Sequence, residues 1–265
     1  MSSATLTRPI STGSLWHNTV TIARRNLLHI KSDPEQLVGM TIQPLMFLVL
    51  FVFVFGGAIA GSSSEYLQFA LPGILVQGIA FTPFTTALGL NVDFQRGVID
   101  RFRSLPIARS AVIGGRILAD GVRIVWGELI LIGFGVLLGF RFGGGLEGAI
   151  GAFILVAAFG LTLCWPMAFI GVAAKTPEAV NTWGFMIILP LTFASSTFAR
   201  PETMPGWLEA FVNVNPITAI VDATRGLMLG GDLPVAEPVI RSIIWMAVIS
   251  AVFAPLAIAR YRRRV

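Results

Sequence analysis

Five long runs without a charged residue restrict what this 265-residue chain can fold into. Each is about as long as the roughly 20 apolar residues that a helix needs to cross the hydrocarbon core of a bilayer. The runs cover residues 37–60, 67–92, 148–174, 179–199 and 242–259. A sixth stretch, 124–140, holds one charge, Glu128, and is interpreted as the outer part of a longer helix. We therefore predict an all-α integral membrane protein with six transmembrane helices, at about 37–60, 67–93, 107–139, 147–174, 177–199 and 239–260.

The composition agrees with a membrane protein. Charged residues make up 12% of the chain, whereas soluble domains carry about 25%. The mean hydropathy is +0.79. The apolar runs are continuous and do not alternate with polar residues, which excludes a membrane β-barrel.

The region before the first run divides into two segments. Residues 1–13 are rich in Ser and Thr and are predicted to be disordered. Residues 14–32 are predicted to form a cytoplasmic interfacial connecting helix, because apolar residues recur there every three or four positions. Those residues are Trp16, Val20, Ala23, Leu27 and Ile30. Residues 33–262 are then predicted to be the transmembrane domain. Its first run starts too late, and is too long, for a cleaved signal peptide.

The distribution of basic residues predicts the orientation. Outside the spans, 13 arginines and lysines fall on the side that holds both termini, and four fall on the other side. Because cytoplasmic loops carry the excess of Lys and Arg, both termini are predicted to be cytoplasmic. The pair Gly56-Gly57 is predicted to end the first span on the outer side. The net charge of +5 is explained as membrane topology, and nucleic acid is not an expected partner.

The connection at residues 93–109 is short, charged and amphipathic. Its apolar residues recur at helical spacing, and Arg96, Asp100 and Arg103 share the opposite face. One interpretation is a solvated loop whose arginines only set the topology. The other is a docking helix that receives force from a soluble partner, and the apolar stripe favours it. The candidate coupling residues are Arg96, Ile99, Asp100, Arg101, Phe102, Arg103 and Leu105.

Four charged residues are predicted to lie on the third span. Arg116, Asp120 and Arg123 are spaced for i, i+4 and i, i+3 pairing near the cytoplasmic boundary. Glu128 is deeper and has no basic residue three or four positions away on its helix. It is interpreted either as paired with another helix for structural reasons or as part of a transport path.

The last outer connection, 200–241, is predicted to contain two short amphipathic re-entrant helices. Trp207 and Phe211 belong to the apolar face of the first, and Asn215-Pro216 is a start signal for the second. Asp222 and Arg225 are spaced to pair on that second helix. The two helices are expected either to act as an outer gate over the pathway or simply to pack in the outer leaflet.

Several kinds of chemistry are missing from the sequence. The two lysines, Lys31 and Lys175, lie outside any phosphate-binding G-x-x-x-x-G-K-[ST] motif. No catalytic or metal-binding motif is recognisable, and the single cysteine, Cys164, is interpreted as a packing residue. The chain is therefore predicted not to be an enzyme, and any ATP hydrolysis would take place in another subunit.

Three sequence patches suggest a family. The first patch is GVIDRFRSLPIAR at 97–109, which is followed by AVIGGRILAD at 111–120. The second is GFRF at 139–142, and the third is FARPETMPGWLEAFVNVNP at 198–216. With these patches the chain resembles the permease subunits of ABC-type exporters, in particular the daunorubicin/doxorubicin-resistance permease type of actinobacteria. The resemblance spans nearly the whole chain.

The resemblance implies a permease half in the cytoplasmic membrane of a bacterium, which exports hydrophobic or amphipathic molecules. It implies pairing with a second permease half, identical or homologous, and with two ATP-binding cassette subunits that bind ATP and magnesium. This chain itself is expected to bind no cofactor and to contact membrane lipid. Residues 96–105 would couple to the ATPase, and 207–229 would be the re-entrant segment.

Polar residues on the second and fifth spans are candidates for the cargo pathway. They are Gln77, Thr82, Thr85, Thr86, Asn91, Asn181, Thr192, Ser195 and Ser196. Two other functions are considered: a secondary transporter or channel without an ATPase, in which Glu128 carries protons, and a membrane enzyme acting on lipid. An associated P-loop ATPase would argue against both.

Overall fold

The computed structural model describes residues 34–96 and 109–264, which are mostly helical and contain no β-strand. The helices are α1 Pro34–Val49, α2 Gly56–Ala60, α3 Ser63–Phe81, α4 Phe84–Gln95, α5 Arg109–Leu137, α6 Gly145–Ala173, α7 Pro177–Phe193, α8 Gly206–Val214, α9 Pro216–Leu229 and α10 Ala236–Arg264. A π-helical segment, Leu50–Phe55, joins α1 to α2, and a 3-10 turn, Pro201–Thr203, precedes α8. The predictions for residues 1–13 and 14–32, and for six of the seven coupling residues, lie outside the described residues.

Four stretches of helix in the described part are long and apolar enough to cross a membrane. They are Thr41–Ala60, Ser63–Gln95, Gly145–Ala173 and Ala236–Arg264. Helix α5 has 29 residues but carries several charges, and α7 has 17 residues and ends at Phe193, whereas the sequence predicts a helix to 199. The predicted all-α membrane class is confirmed for the described residues.

Two helix starts follow directly from local sequence. The Thr176 hydroxyl accepts a hydrogen bond from the Ala179 N–H at 3.2 Å, and Pro177 occupies the first turn of α7. The Asn215 side chain accepts from the Ile217 N–H at 2.8 Å at the start of α9. Both side chains satisfy N–H groups that have no partner inside the helix, and the start at Asn215-Pro216 agrees with its sequence signal.

The prediction that Gly56-Gly57 ends a helix is wrong. The helical stretch that starts with α1 continues through the pair as α2, which begins at Gly56, and it stops at Gly61, whose φ is 77°. A Cβ atom on Gly56 would lie 3.1 Å from the Ser63 Cα. The glycine therefore allows close packing of α2 against α3 within a continuing helix, and the turn is made by the later glycine.

Helix α3 lies at the centre of the bundle, and most of its side chains are buried. The Tyr66 hydroxyl donates a hydrogen bond to the Phe198 carbonyl at 2.9 Å. Gly73 touches the backbone of Thr197, which brings the segment after α7 directly against α3. Helix α9 is also largely buried, although its 14 residues extend only about 21 Å at 1.5 Å per residue.

The peripheral helices expose large apolar side chains. On α1 and the following π-helical segment these include Met46, Phe53 and Val54, and on α7 they include Trp183 and Met186. Such side chains are exposed on α10 as well, among them Ile240 and Ile244. Apolar surface of this extent is expected where a protein faces lipid or another membrane subunit.

The ends of several helices meet at one end of the bundle. Here the last residues of α4, α6 and α10 lie together, close to the start of α7. A small hydrophobic cluster joins them, formed by Leu90, Ala168, Val172, Ala257 and Tyr261. We call this region the basic end, because Arg96, Lys175 and the arginines that finish α10 all belong to it.

We expect Gly73→Ala to destabilise the bundle by about 1–3 kcal/mol, because overpacking forces backbone shifts. The added Cβ would lie 2.6 Å from the Thr197 carbonyl oxygen. The matched control is Gly133→Ala on α5, where an added Cβ meets no atom within 4 Å. Thermal unfolding in detergent, followed by tryptophan fluorescence, measures both variants. Equal midpoints for the two would contradict the close packing at Gly73.

Candidate functional site

A buried polar network, which we call the Asp120 network, lies where α5 packs against the break between α3 and α4. It consists of Thr85, Thr86, Asp120 and Arg123. The Asp120 carboxylate is fully buried and accepts hydrogen bonds from the hydroxyls of Thr85, at 3.2 Å, and Thr86. Arg123 pairs with the same carboxylate, as the i, i+3 spacing predicts. The ion pair is therefore enclosed within the bundle and supported by two hydroxyl groups.

Arg116 has a different partner from the one that its spacing suggests. Its guanidinium donates to the Asp93 carboxylate on α4 at 2.8 Å, so its ion pair joins two helices. The side chain lies against Gly89, where a Cβ atom would collide with the guanidinium. Asp93 is not among the residues that the sequence singles out, because spacing along one helix cannot reveal a partner on another.

Glu128 is fully buried, and neither of its carboxylate oxygens has a hydrogen-bond partner among the described residues. Neighbouring positions on α5, Ile124 and Leu131, belong to the main hydrophobic core. An ionised carboxylate in such surroundings is costly. The structural interpretation of Glu128 as half of an interhelical pair thus finds no partner in the described part of the chain.

A pocket of about 70 Å³ lies between α1 and α3, and we call it the α1–α3 pocket. Among the described residues, no charged side chain lines it. Gln77 is only 3% exposed and contributes a carboxamide to the wall of the pocket. The lining residues are Gln43, Pro44, Phe47, Ile74, Gln77, Gly78, Phe81, Thr82 and Thr85. The pocket thus combines aromatic walls with a few neutral hydrogen-bonding groups, as small-molecule sites commonly do.

The aromatic walls of the pocket connect it to α7. The ring centroid of Phe47 lies 6.4 Å from that of Phe193, and the ring centroid of Phe81 lies 6.0 Å from that of Phe185. A second, smaller pocket lies on the other side of the contact between Pro44 and Gly78 and reaches Arg123. The neutral pocket therefore lies beside the Asp120 network, and Thr82 lines both pockets.

The predicted pathway residues separate into two groups. Gln77, Thr82 and Thr85 line the α1–α3 pocket. The others do not line it, and most of them hydrogen-bond inside the protein. The Asn91 amide donates to carbonyls at the end of α6, Thr192 and Ser195 donate to α7 carbonyls, and Thr86 belongs to the Asp120 network. Sequence composition alone does not distinguish these roles.

The predicted outer residues Asn215, Asp222 and Arg225 fasten α9 to the bundle. Asn215 donates to the Leu191 and Ala194 carbonyls at 2.7 and 2.6 Å, and Pro216 begins the helix. Asp222 accepts from the Ser196 hydroxyl at 2.7 Å and pairs with Arg225 at 3.1 Å. These contacts hold α9 against the end of α7.

Arg225 has a complete set of partners. Its guanidinium donates to the Phe69 and Ser196 carbonyls at 3.2 and 2.8 Å and lies 4.0 Å from the centre of the Phe69 ring. Burial lowers the pKa of Arg225 to about 10, which leaves the guanidinium charged at neutral pH. Burial also raises the pKa of Asp222, although the Ser196 hydrogen bond and the Arg225 charge oppose that shift. The pair therefore anchors α9 in the packed structure.

Helix α8 differs from α9 because its predicted apolar face is exposed. Trp207 is 76% exposed and Phe211 is 45% exposed, and Val214 continues the same side. Nearby, an open cavity of about 610 Å³ is lined by charged residues from several segments. They are Glu65, Arg200, Glu202, Asp222, Arg225 and Glu237.

The remaining predicted sites are at the basic end. Arg96 directly follows α4, and Ile99, Asp100, Arg101, Phe102, Arg103 and Leu105 lie outside the described residues. The described residues contain no group of three or more His, Cys, Asp or Glu side chains that could hold a metal ion.

Comparison with known proteins places this arrangement in a family. Residues 17–229 match the model of the ABC-2 type transporter family. The chain is 40% identical to the daunorubicin resistance ABC transporter permease protein DrrB1 of Streptomyces coeruleorubidus, over 93% of this chain and 86% of the relative. It is 30% identical to the probable doxorubicin resistance ABC transporter permease protein DrrC of Mycobacterium tuberculosis, over 87% of this chain and 83% of the relative. It is also 27% identical to the putative transport permease ycf38 of Cyanophora paradoxa, over 78% of this chain and 72% of the relative. The chain therefore belongs to the ABC-2 type transporter family and is an ABC transporter permease.

Proposed function

We propose that this permease exports drug-like hydrophobic or amphipathic molecules from a bacterial cell, driven by ATP that separate subunits hydrolyse. The observation that carries this proposal is the α1–α3 pocket, which offers neutral polar groups between aromatic walls in the midst of apolar helices. Two relatives named for daunorubicin or doxorubicin resistance support a drug-like cargo. ATP and magnesium bind in the partner, and this chain needs no cofactor of its own.

The proposed arrangement has six spans, with the N-terminus and the C-terminus in the cytoplasm. The four long apolar stretches supply four spans, and α5 and α7 supply the others. The charges of α5 support this, because two ion pairs shelter Arg116, Asp120 and Arg123 within the bundle. Helices α8 and α9 are then re-entrant, with α9 buried and the aromatic side of α8 in the outer leaflet.

A second permease half, identical or homologous, is proposed to cover the exposed sides of α1 and α7. On α7 the exposed residues fall on several sides of the helix, among them Asn181, Trp183, Met186 and Leu189. A helix that packs so little within its own chain is suited to an interface between subunits. The α1–α3 pocket lies next to that surface, so the two halves would enclose the cargo between them. Lipid then covers the rest of the apolar surface, and nucleic acid is not a partner.

ATP-driven closure of the partner ATPases is proposed to act on residues 96–105. The segment is continuous with α4, which begins just after the pocket residue Thr82. A displacement of the segment therefore reaches the pocket through one short helix. The pocket opens towards the outer side as α1 and α7 move.

We expect Asp100→Ala combined with Arg101→Ala to abolish most ATP-dependent export while the permease stays folded in the membrane. The double variant removes two charges from the proposed docking segment and keeps the net charge. The control is Arg141→Ala, in the connection between α5 and α6, combined with Glu147→Ala in the first turn of α6. Drug accumulation in inverted vesicles measures transport, and affinity purification measures the bound ATPase. Export by the docking variant at the wild-type rate would contradict the coupling role.

Replacing Gln77 with leucine is expected to change the handling of cargo without changing the fold. The variant keeps the side-chain size and removes the buried amide, so polar cargo should lose about 1 kcal/mol of binding and its apparent KM should rise several-fold. Thr162→Val on α6 is the control, because its hydroxyl donates to the Ala158 carbonyl outside the pocket. Concentration-dependent export measures both variants. An unchanged KM for Gln77→Leu would show that the pocket is not part of the cargo pathway.

The unpartnered Glu128 carboxyl favours a second candidate function, a proton-linked transporter that works without an ATPase. In that case Glu128→Gln should abolish transport driven by a pH gradient, since glutamine cannot carry a proton. The measurement is drug flux into proteoliposomes that contain only the purified permease, with a gradient imposed. The ATP-driven proposal expects no gradient-driven flux from either the wild type or the variant.

A further inference from the structure

The carbonyl groups at the end of α6 are bonded to side chains from two other helices. The Asn91 amide on α4 donates to the Gly171 carbonyl at 3.1 Å and to the Ala174 carbonyl at 2.9 Å. Its carboxamide oxygen accepts from Gln95 at 3.3 Å, and Gln95 also donates to the Lys175 carbonyl at 3.2 Å. The last carbonyls of a helix have no partner within it, so these bonds satisfy groups that would otherwise be unpaired.

Arg264, the last residue of α10, binds the same helix end. Its guanidinium donates to the Val172 carbonyl and, at 2.9 Å, to the Ala174 carbonyl. It also lies 5.1 Å from the centre of the Phe94 ring on α4. A positive charge at the end of a helix interacts favourably with its dipole. Arg264 thus touches α4 and α6 from a third helix.

Apolar packing reinforces these polar contacts. The ring centroids of Phe94 and Tyr261 are 5.4 Å apart, and Tyr261 belongs to the hydrophobic cluster of the basic end. Gly171 packs directly on the backbone of Ala87, where a Cβ atom would collide with the carbonyl. The ends of α4, α6 and α10 are therefore joined by hydrogen bonds, a cation–π contact and close backbone packing.

We propose that Asn91 and Arg264 are positioning residues that make α4, the α6–α7 connection and the end of α10 move as one rigid block. This inference rests on the proposed function, in which force enters through residues 96–105. Since that segment follows α4 and α7 begins at Pro177, a displaced α4 carries the start of α7 with it. The block thereby transmits one motion to both the α1–α3 pocket and the exposed helix α7.

A thiol cross-link across the block tests the proposal directly. In a Cys164→Ala background, Gln95→Cys with Lys175→Cys places one thiol at the end of α4 and one in the α6–α7 connection. Both positions are exposed. After treatment with a short bifunctional thiol reagent, ATP-dependent drug export should stay close to that of the unlinked protein. The matched pair Gln43→Cys with Gln77→Cys links α1 to α3 across the pocket. That link should block export, and arrest of export by the 95–175 link would overturn the proposal.

Substitutions of the positioning residues give a second readout. Asn91→Leu combined with Arg264→Met removes the donors at similar size, and about tenfold more ATP should be hydrolysed per molecule exported. Arg264→Lys alone keeps a positive charge, hydrogen-bond donors and the native Asn91. This variant should hydrolyse less ATP per exported molecule than the double variant. An unchanged ratio of ATP to cargo in the double variant would count against the positioning role.

A measurement that does not depend on transport separates this inference from the proposed function. Spin labels at positions 95 and 175 should report one narrow distance in the purified permease. The distribution should broaden when Asn91→Leu and Arg264→Met are introduced. An unaltered distribution overturns the rigid block even if the protein exports drugs. If instead the wild-type permease fails to export drugs together with its ATPase, the proposed function is wrong. A narrow distance between the two labels would still support the rigid block.

Discussion

The fold depends on one constraint, which is that charged and backbone polar groups inside an apolar chain must find partners within the protein; among the described residues, the Glu128 carboxyl is the exception. Where no water is available, an unpaired polar group costs several kcal/mol by general estimates. Asp120 satisfies this requirement with Arg123 and two threonines, and Arg225 does so with Asp222 and two carbonyls. These pairings determine where α5 meets α4 and where α9 meets α3. Apolar contacts alone would specify these positions weakly, because lipid chains are as apolar as the side chains.

The helical architecture is largely readable from the sequence because its signals are local. Long uncharged runs locate four apolar helical stretches, and Thr176-Pro177 and Asn215-Pro216 mark helix starts through contacts within three residues. The errors arise where tertiary packing decides. Gly56 and Gly57 continue a helix because Gly56 packs closely against α3, and α7 ends at Phe193 because the next residues turn back towards α3 and α9. Nothing within a few residues of either site indicates these contacts.

The candidate site is less predictable, because identical residue types have opposite roles. Gln77 and Asn91 are both buried carboxamides on the second span, yet Gln77 lines a pocket and Asn91 binds the end of α6. Which role applies depends on the helix that lies opposite, and a single sequence does not contain that information. The same holds for Arg116, whose partner Asp93 is 23 residues away on another helix. Only pairs on one helix, such as Asp222 with Arg225, are accessible from spacing.

The uneven distribution of polar contacts also determines which parts of the bundle can move. Separating α4 from the end of α6 breaks several hydrogen bonds, from Asn91, Gln95 and Arg264, whose carbonyl partners would then have to find water. Separating α1 from α3 at the pocket uncovers apolar side chains such as Phe47 and Ile74, and cargo or lipid can cover them at little cost. In the proposed mechanism, a force applied at the basic end would therefore produce its displacement at the pocket, where the helices separate most easily. Under that proposal the permease would need no hinge residue, because the location of its hydrogen bonds would separate a stiff region from one that moves.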